Sequence, residues 1–200
     1  MPSKKVLLAL TLAAAAMPAA QAQSFKAGDL LARARLVNLD PANKDTVPGL
    51  AVTVNSKVFP EVDFSYFLSP NLAAELILTY PQKHNVYGDG AKIGTLKHLP
   101  PTLSLQYHLT DFGAFKPYVG AGLNYTHFMS VDLPAGLSID KNSFGLSLQA
   151  GLDYLIDKTW SVNVDVKKVQ IATDLKSAGS KLGTIKVDPV VFGIGLGYKF

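Results

Sequence analysis

Two hundred residues with no cysteine and a formal net charge of +4 exclude disulfide stapling, thiolate metal centres and thiol redox chemistry. The length is that of one domain, and an unbroken compositional character along the chain argues against a second. Half of the positive excess comes from Lys4 and Lys5 in the N-terminal segment, so charge lends no support to nucleic-acid binding.

Those two lysines precede an apolar run from Val6 to Met17 and then Ala20-Gln21-Ala22. A basic start, an apolar centre and a small-residue cleavage site form a secretory signal peptide over residues 1–22, cut after Ala22. The run breaks at Pro18, well short of the ~20 apolar residues a membrane-spanning helix needs. Residues 23–200 are then the mature domain. They hold no apolar stretch long enough for such a helix, so a membrane-crossing fold would have to be a closed barrel.

From Leu30 onward the pattern has period two, in segments of about ten residues, the length of a tilted membrane-crossing strand. Strands are predicted near 28–39, 61–68, 71–80, 93–109, 115–128, 143–156, 159–171 and 186–200. In the sixth, Phe144, Leu146, Leu148, Ala150, Leu152 and Tyr154 alternate with Ser143, Gly145, Ser147, Gln149, Gly151 and Asp153. In the seventh, Trp160, Val162, Val164 and Val166 alternate with Ser161, Asn163, Asp165 and Lys167. A helix would set Asp165 and Lys167 beside the valines. An even number of strands returns both termini to one side, as bacterial outer-membrane barrels require.

The connections alternate in length. Ser69-Pro70, Asp111 to Ala114 and Asp157-Lys158 are tight turns, whereas 40–60, 81–92, 129–142 and 172–185 are long and carry many lysines and aspartates. Short turns on one rim and long loops on the other are the outer-membrane pattern. Alternation alone also fits a soluble barrel with an apolar interior. The row opposite the apolar one is rich in glycine, including Gly120, Gly122, Gly145, Gly151, Gly193, Gly195 and Gly197. Glycines weaken a strand that faces water, but inside a narrow barrel they make room for side chains across the lumen. Tyr66, Tyr80, Tyr107, Tyr125, Tyr154, Trp160 and Tyr198 lie in the apolar rows near strand ends, where rings with a polar tip suit a lipid interface.

The lumen row is interrupted by Phe67, Ile77, Tyr118 and Val191. These are candidates for an apolar constriction, or simply interior packing that stabilises a small barrel. Arg33, Arg35, Asp63, Glu75, Asp165 and Lys167 fall in the same row, where opposite charges must pair to offset desolvation. The histidines His84, His98, His108 and His127 form no nucleophile-and-base constellation; His127 and Ser130 are at an odd offset and point to opposite faces. No metal-ligand spacing or calcium loop occurs, so no enzyme activity and no cofactor are implied.

Four blocks carry a family resemblance: His98-Leu99-Pro100-Pro101-Thr102-Leu103; Pro117-Tyr118-Val119-Gly120-Ala121-Gly122-Leu123-Asn124-Tyr125; Gly151-Leu152-Asp153-Tyr154-Leu155; and Asp188-Pro189 ahead of Gly193, Gly195, Gly197 and Tyr198. In this order and spacing the chain resembles the OmpW family of outer-membrane proteins, which includes the AlkL-type alkane importers. The resemblance implies an all-β, eight-stranded antiparallel transmembrane barrel, monomeric, whose narrow lumen admits small hydrophobic molecules and releases them sideways into the membrane. His98, in the first block, then joins the candidate polar network of the lumen. Pro100, Pro101 and Pro189 lack ladder donors and mark either a lateral opening or a harmless bulge.

The expectation is thus an outer-membrane channel for hydrophobic solutes with both termini in the periplasm. The alternative is a structural barrel with a filled lumen whose loops contact host or phage factors. Expected partners are outer-membrane lipid and lipopolysaccharide, small hydrophobic solutes, and the outer-membrane assembly machinery, the last through a final strand that ends in Phe200.

Overall fold

The structure, a computed structural model, describes residues 24–200. The predicted leader, 1–22, lies outside the described residues. In chain order the strands are β1 (Leu30–Asp40), β2 (Lys44–Asp45), β3 (Val52–Val54), β4 (Lys57–Phe67), β5 (Leu72–Thr79), β6 (Gln82–Gly88), β7 (Ala91–Leu99), β8 (Thr102–His108), β9 (Phe115–Asp132), β10 (Leu137–Ile139), β11 (Asn142–Leu155), β12 (Trp160–Val169), β13 (Ala172–Ser177), β14 (Ser180–Lys186) and β15 (Val190–Lys199).

Eight of these close on themselves in the order β1, β4, β5, β8, β9, β11, β12, β15, every neighbouring pair antiparallel. Closure runs through β1, in which Arg33 lies opposite Asp63 of β4 on one side and Gly197 of β15 on the other. A closed ladder leaves no edge with unpaired backbone groups, the condition for a sheet in hydrocarbon. Period two then sorts every residue to one face or the other. Phe144 is 81% exposed, and Leu36, Leu103, Leu123, Leu148 and Ile194 are likewise on the outside, while Asp63, Glu75 and Asn163 inside are 0% exposed. A soluble barrel has the opposite polarity. This one has a polar interior and an apolar exterior.

The tight turns gather at one end. Asp157 Oδ1 accepts from the backbone N–H groups of Thr159 (2.7 Å) and Trp160 (2.8 Å), fixing the β11–β12 turn. Phe200 N donates to Leu30 O (2.9 Å), so the end of the chain meets β1 at this same rim. One lumen glycine shows its reason directly: Gly151 lies opposite Tyr118 in the ladder, and a Cβ there would collide with the tyrosine ring.

The other end departs from expectation. The segments expected to be long loops are largely strands: 81–92 holds β6 and the start of β7, turning at Asp89-Gly90, and 172–185 holds β13 and β14, turning at Ala178-Gly179, all four turn residues having positive φ. Both are two-residue hairpins of the kind that matches strand twist. β4 begins at Lys57, four residues before the predicted start. The predicted strand 93–109 is two, β7 and β8, separated by Pro100-Pro101, which have no N–H for a ladder. β3, β6 and β7 extend the barrel sheet along the upper part of β9, while β10, β13, β14 and β2 form a second small sheet. Val52, Val54, Val86, Leu96, Phe128, Leu175, Ile185 and Val187 pack together between them, so this long-loop lobe has an apolar core of its own.

Candidate passage through the barrel

The lumen is layered. At the short-turn end Phe25, just ahead of β1, is buried with its ring stacked on Phe67 at 4.0 Å. His108 stands edge-on to Phe25 at 5.3 Å, and Leu31, Ala73 and Leu155 pack around the pair. Phe25 precedes the first strand, so no periodicity in the sequence marks it.

Above this cap lies an ionic plug. Arg33 grips Asp153 with both Nε (2.9 Å) and Nη2 (2.7 Å), and its Nη1 reaches Asp63 at 2.8 Å. Arg35 Nη2 lies 2.6 Å from the other oxygen of Asp63 and 3.3 Å from Glu75, and its Nε lies 3.1 Å from Glu61. Lys167 pairs with Glu61 (2.7 Å) and Asp165 (3.0 Å), and Tyr118 Oη donates to Asp165 at 2.8 Å. Two-pronged guanidinium–carboxylate pairs are among the strongest polar contacts available, and together these side chains span the lumen from β1 to β12. Arg33, Arg35, Asp63, Glu75, Asp165 and Lys167 are therefore brought together. Glu61 and Asp153 complete the set and were missed as partners: both sit in the inward rows, but only the cross-strand register puts them beside arginines.

The candidate constriction residues do not form one ring. Phe67 belongs to the cap, Tyr118 to the plug, and Val191 packs with Val37, Leu39 and Phe59 above it. Ile77, with Val191, Thr79, Pro100 and Pro189, lines a chamber of about 30 Å³ over the plug.

The barrel wall at this chamber is uneven. The β5–β8 ladder ends at Ile77 opposite Thr102, and the β6–β7 ladder resumes at Gln82 opposite His98. Between them 78–81 face 99–101, three of which are prolines, Pro81, Pro100 and Pro101, and no backbone hydrogen bond joins the two stretches among the described residues. The far flank is held: Tyr125 N donates to Pro101 O at 3.1 Å, and Asn124 Nδ2 lies 3.2 Å from both Pro100 O and Pro101 O. At Pro189 the wall is bridged, since Val169 N donates to Pro189 O (3.1 Å) and Val187 N to Ile171 O (2.9 Å). Pro100 and Pro101 thus border a gap and Pro189 does not. Pro81, in the connection between β5 and β6 on the facing side, is the member the sequence pattern left out.

His98 stands apart from the ionic plug. It lies higher, stacked on His84 with ring centres 4.7 Å apart, and Phe128 is edge-on at 6.3 Å. Burial, with His84 alongside, pushes the His98 imidazole down to about 3, and burial also lowers that of His84 against the opposing effect of the Asn55 carbonyl. Both rings are neutral at ordinary pH. Over them the lobe encloses a purely apolar cavity of about 20 Å³ lined by Val86, Leu96, Phe128, Leu175 and Ile185 among others. His127 is on the outside, with its Nδ1 2.8 Å from Asn142 Oδ1 and no part in the passage. Among the described residues no group of three or more His, Cys, Asp or Glu is placed to hold a metal ion.

Comparison with known proteins agrees with this architecture. The OmpW family model matches residues 26–200. The outer-membrane protein y4mB of Sinorhizobium fredii is 45% identical over 170 residues, 80% of this chain and 74% of that protein. Outer membrane protein W of Escherichia coli is 34% identical over 219 residues, 98% of this chain and 100% of its own length. Among solved structures, the outer membrane protein OprG of Pseudomonas aeruginosa superposes with a TM-score of 0.76 at 33% identity, covering 89% of this chain and 98% of that one.

Proposed function

This chain belongs to the OmpW family of outer-membrane barrels, and on that premise we propose that it is a passive conduit for small hydrophobic molecules, which enter through the long-loop lobe and leave sideways into the membrane. The observation that carries the reading is the ladder gap at Pro81, Pro100 and Pro101, which borders a chamber whose floor is the ionic plug. Apolar walls above, a break in the wall beside, and charged side chains with an aromatic cap below make the lateral route the one with the least polar obstruction. Passage requires the lobe to open, because its cavity holds about one water. The short-turn rim is then periplasmic, the final strand ending in Phe200 serves recognition by the assembly machinery, and the monomer contacts lipopolysaccharide through its lipid-facing wall.

Uptake of toluene into vesicles with a lipopolysaccharide outer leaflet tests this. Thr79→Trp, placed to fill the chamber beside Pro100, is expected to slow protein-dependent uptake several-fold, while Phe67→Ala in the lower cap leaves it unchanged. Absence of any protein-dependent uptake sinks the conduit, and faster uptake in Phe67→Ala sinks the lateral route. The small size of both cavities favours a second reading, a filled structural barrel acting through its loops, and the first of those outcomes would select it.

A further inference from the structure

Between the apolar lobe and the chamber, the inward rows insert a single polar step. From the lobe downward these rows read Val86, His84, Gln82 along β6 and Leu96, His98, Pro100 along and just past β7, with Phe128 above Asn124 on β9. Val86, Leu96 and Phe128 line the upper cavity, and Pro100 and Asn124 line the lower. His84, His98 and Gln82, with Thr126 between Phe128 and Asn124 on β9, therefore lie between the two cavities and form the neck that separates them.

Three atoms of this neck are buried without a hydrogen-bond partner: His84 Nε2, His98 Nε2 and Gln82 Oε1. Two of them have a defined character. His84 Nδ1 lies 2.9 Å from the Asn55 carbonyl oxygen, which can only accept. The proton therefore sits on Nδ1, and Nε2 presents a lone pair. Gln82 Nε2 donates to Tyr80 O at 2.8 Å and to Thr79 Oγ1 at 3.2 Å, which turns its carbonyl oxygen the other way. The neck thus presents unmet acceptors beside a stack of two flat rings. A buried acceptor left unmet is destabilising until a donor reaches it.

We propose that this neck selects, among the solutes of the conduit, flat aromatic molecules carrying one hydroxyl or N–H donor, phenols being the simplest class. The solute ring passes against the His84–His98 stack and the edge of Phe128, where aromatic contacts are favourable, and its donor is taken by His84 Nε2 or Gln82 Oε1. A site that offers buried acceptors discriminates against an otherwise identical molecule without the donor, because that molecule leaves the acceptors unmet. This selectivity rests on the conduit reading for its route, but binding at the neck is measurable without transport.

Toluene and p-cresol share a shape and differ by one hydroxyl. With the full barrel in bilayers and its histidines labelled with nitrogen-15, p-cresol is expected to shift the His84 Nε2 resonance far more than toluene, whose ring alone can add only a small ring-current shift. Equal shifts, or none with p-cresol, overturn the proposal. In the vesicle assay the protein-dependent flux is expected to favour p-cresol by about three- to tenfold, the equivalent of one neutral hydrogen bond. Both His84→Phe, which keeps a ring in the stack, and Gln82→Met, which spares the stack altogether, should reduce that preference while toluene still crosses. A His84 shift far larger with p-cresol than with toluene, without flux of either solute, leaves the neck site standing and removes the conduit. Equal flux of both solutes with no larger His84 shift from p-cresol removes the neck site and leaves the conduit.

Discussion

Arg33 shows what a single buried charge demands of its surroundings. Its guanidinium, fully out of water, is held by Asp63 and Asp153, which come from strands on different sides of the lumen. Asp63 also serves Arg35, so Asp63→Ala strips a partner from two buried cations at once and is expected to destabilise the barrel by about 3–5 kcal/mol. Urea unfolding in lipid bilayers, followed by the gel shift between folded and unfolded barrel, measures this. Ser104→Ala is the control. The Ser104 hydroxyl has no partner among the described residues, and its loss should cost less than about 0.5 kcal/mol or even stabilise slightly. Gly151→Ala probes packing at the same depth. The added methyl meets the Tyr118 ring, and displacing that ring weakens the bond to Asp165, for an expected loss of about 1–3 kcal/mol. That Arg33, Arg35 and Asp63 face inward was readable from alternation. The bond from Arg33 to Asp153 was not, because it spans 120 positions of sequence and depends on how far the closed sheet is sheared, a quantity no local pattern encodes.

At the scale of the strand, the eight barrel segments were visible because each keeps one apolar row against lipid over about ten residues. The lobe strands β6, β13 and β14 escaped because their apolar rows are shorter and their outward rows carry charge, as where Lys83 of β6 faces Lys97 on the outer side while Val86 and Leu96 turn inward; most of β7 lay within the predicted strand 93–109, which Pro100-Pro101 divides. The β6–β7 hairpin also has a pH dependence of known sign. His98 is held neutral, with its affinity for protons lowered to about 3 by burial, whereas in the unfolded chain it titrates near about 6.5. Stability from this group is fully present above the unfolded value and is lost as pH falls from there towards the folded one. At pH 5 the loss is about 2 kcal/mol, and the lowered His84 adds to it in the same direction. Amide exchange in β6 and β7, corrected for its intrinsic pH dependence, should therefore show lower protection at pH 5 than at pH 7.5, with the barrel strands changing less. A His98→Phe variant should lose most of this difference.

For the whole molecule, the question is which layer stops straight-through flow of water and ions. Phe25 reaches the lumen from outside the barrel sheet, tied in by the Gly28 N–H on Phe67 O at 2.8 Å, and its ring completes the aromatic cap. The plug above is anchored on six barrel strands and needs nothing from the N-terminal segment. Five carboxylates and three basic side chains interlock there, and moving an ion past them means breaking pairs that have no water to replace them. Phe25→Ala is accordingly expected to lower protection of the Gly28 amide and to loosen the segment ahead of β1, yet to leave ion current across planar bilayers within a factor of about two of the unaltered protein. The two readouts separate the layers. If current rises many-fold when only the Phe25 ring is removed, the aromatic cap is the seal, the plug is permeable, and hydrophobic cargo has a direct path to the periplasm that competes with the gap at Pro100.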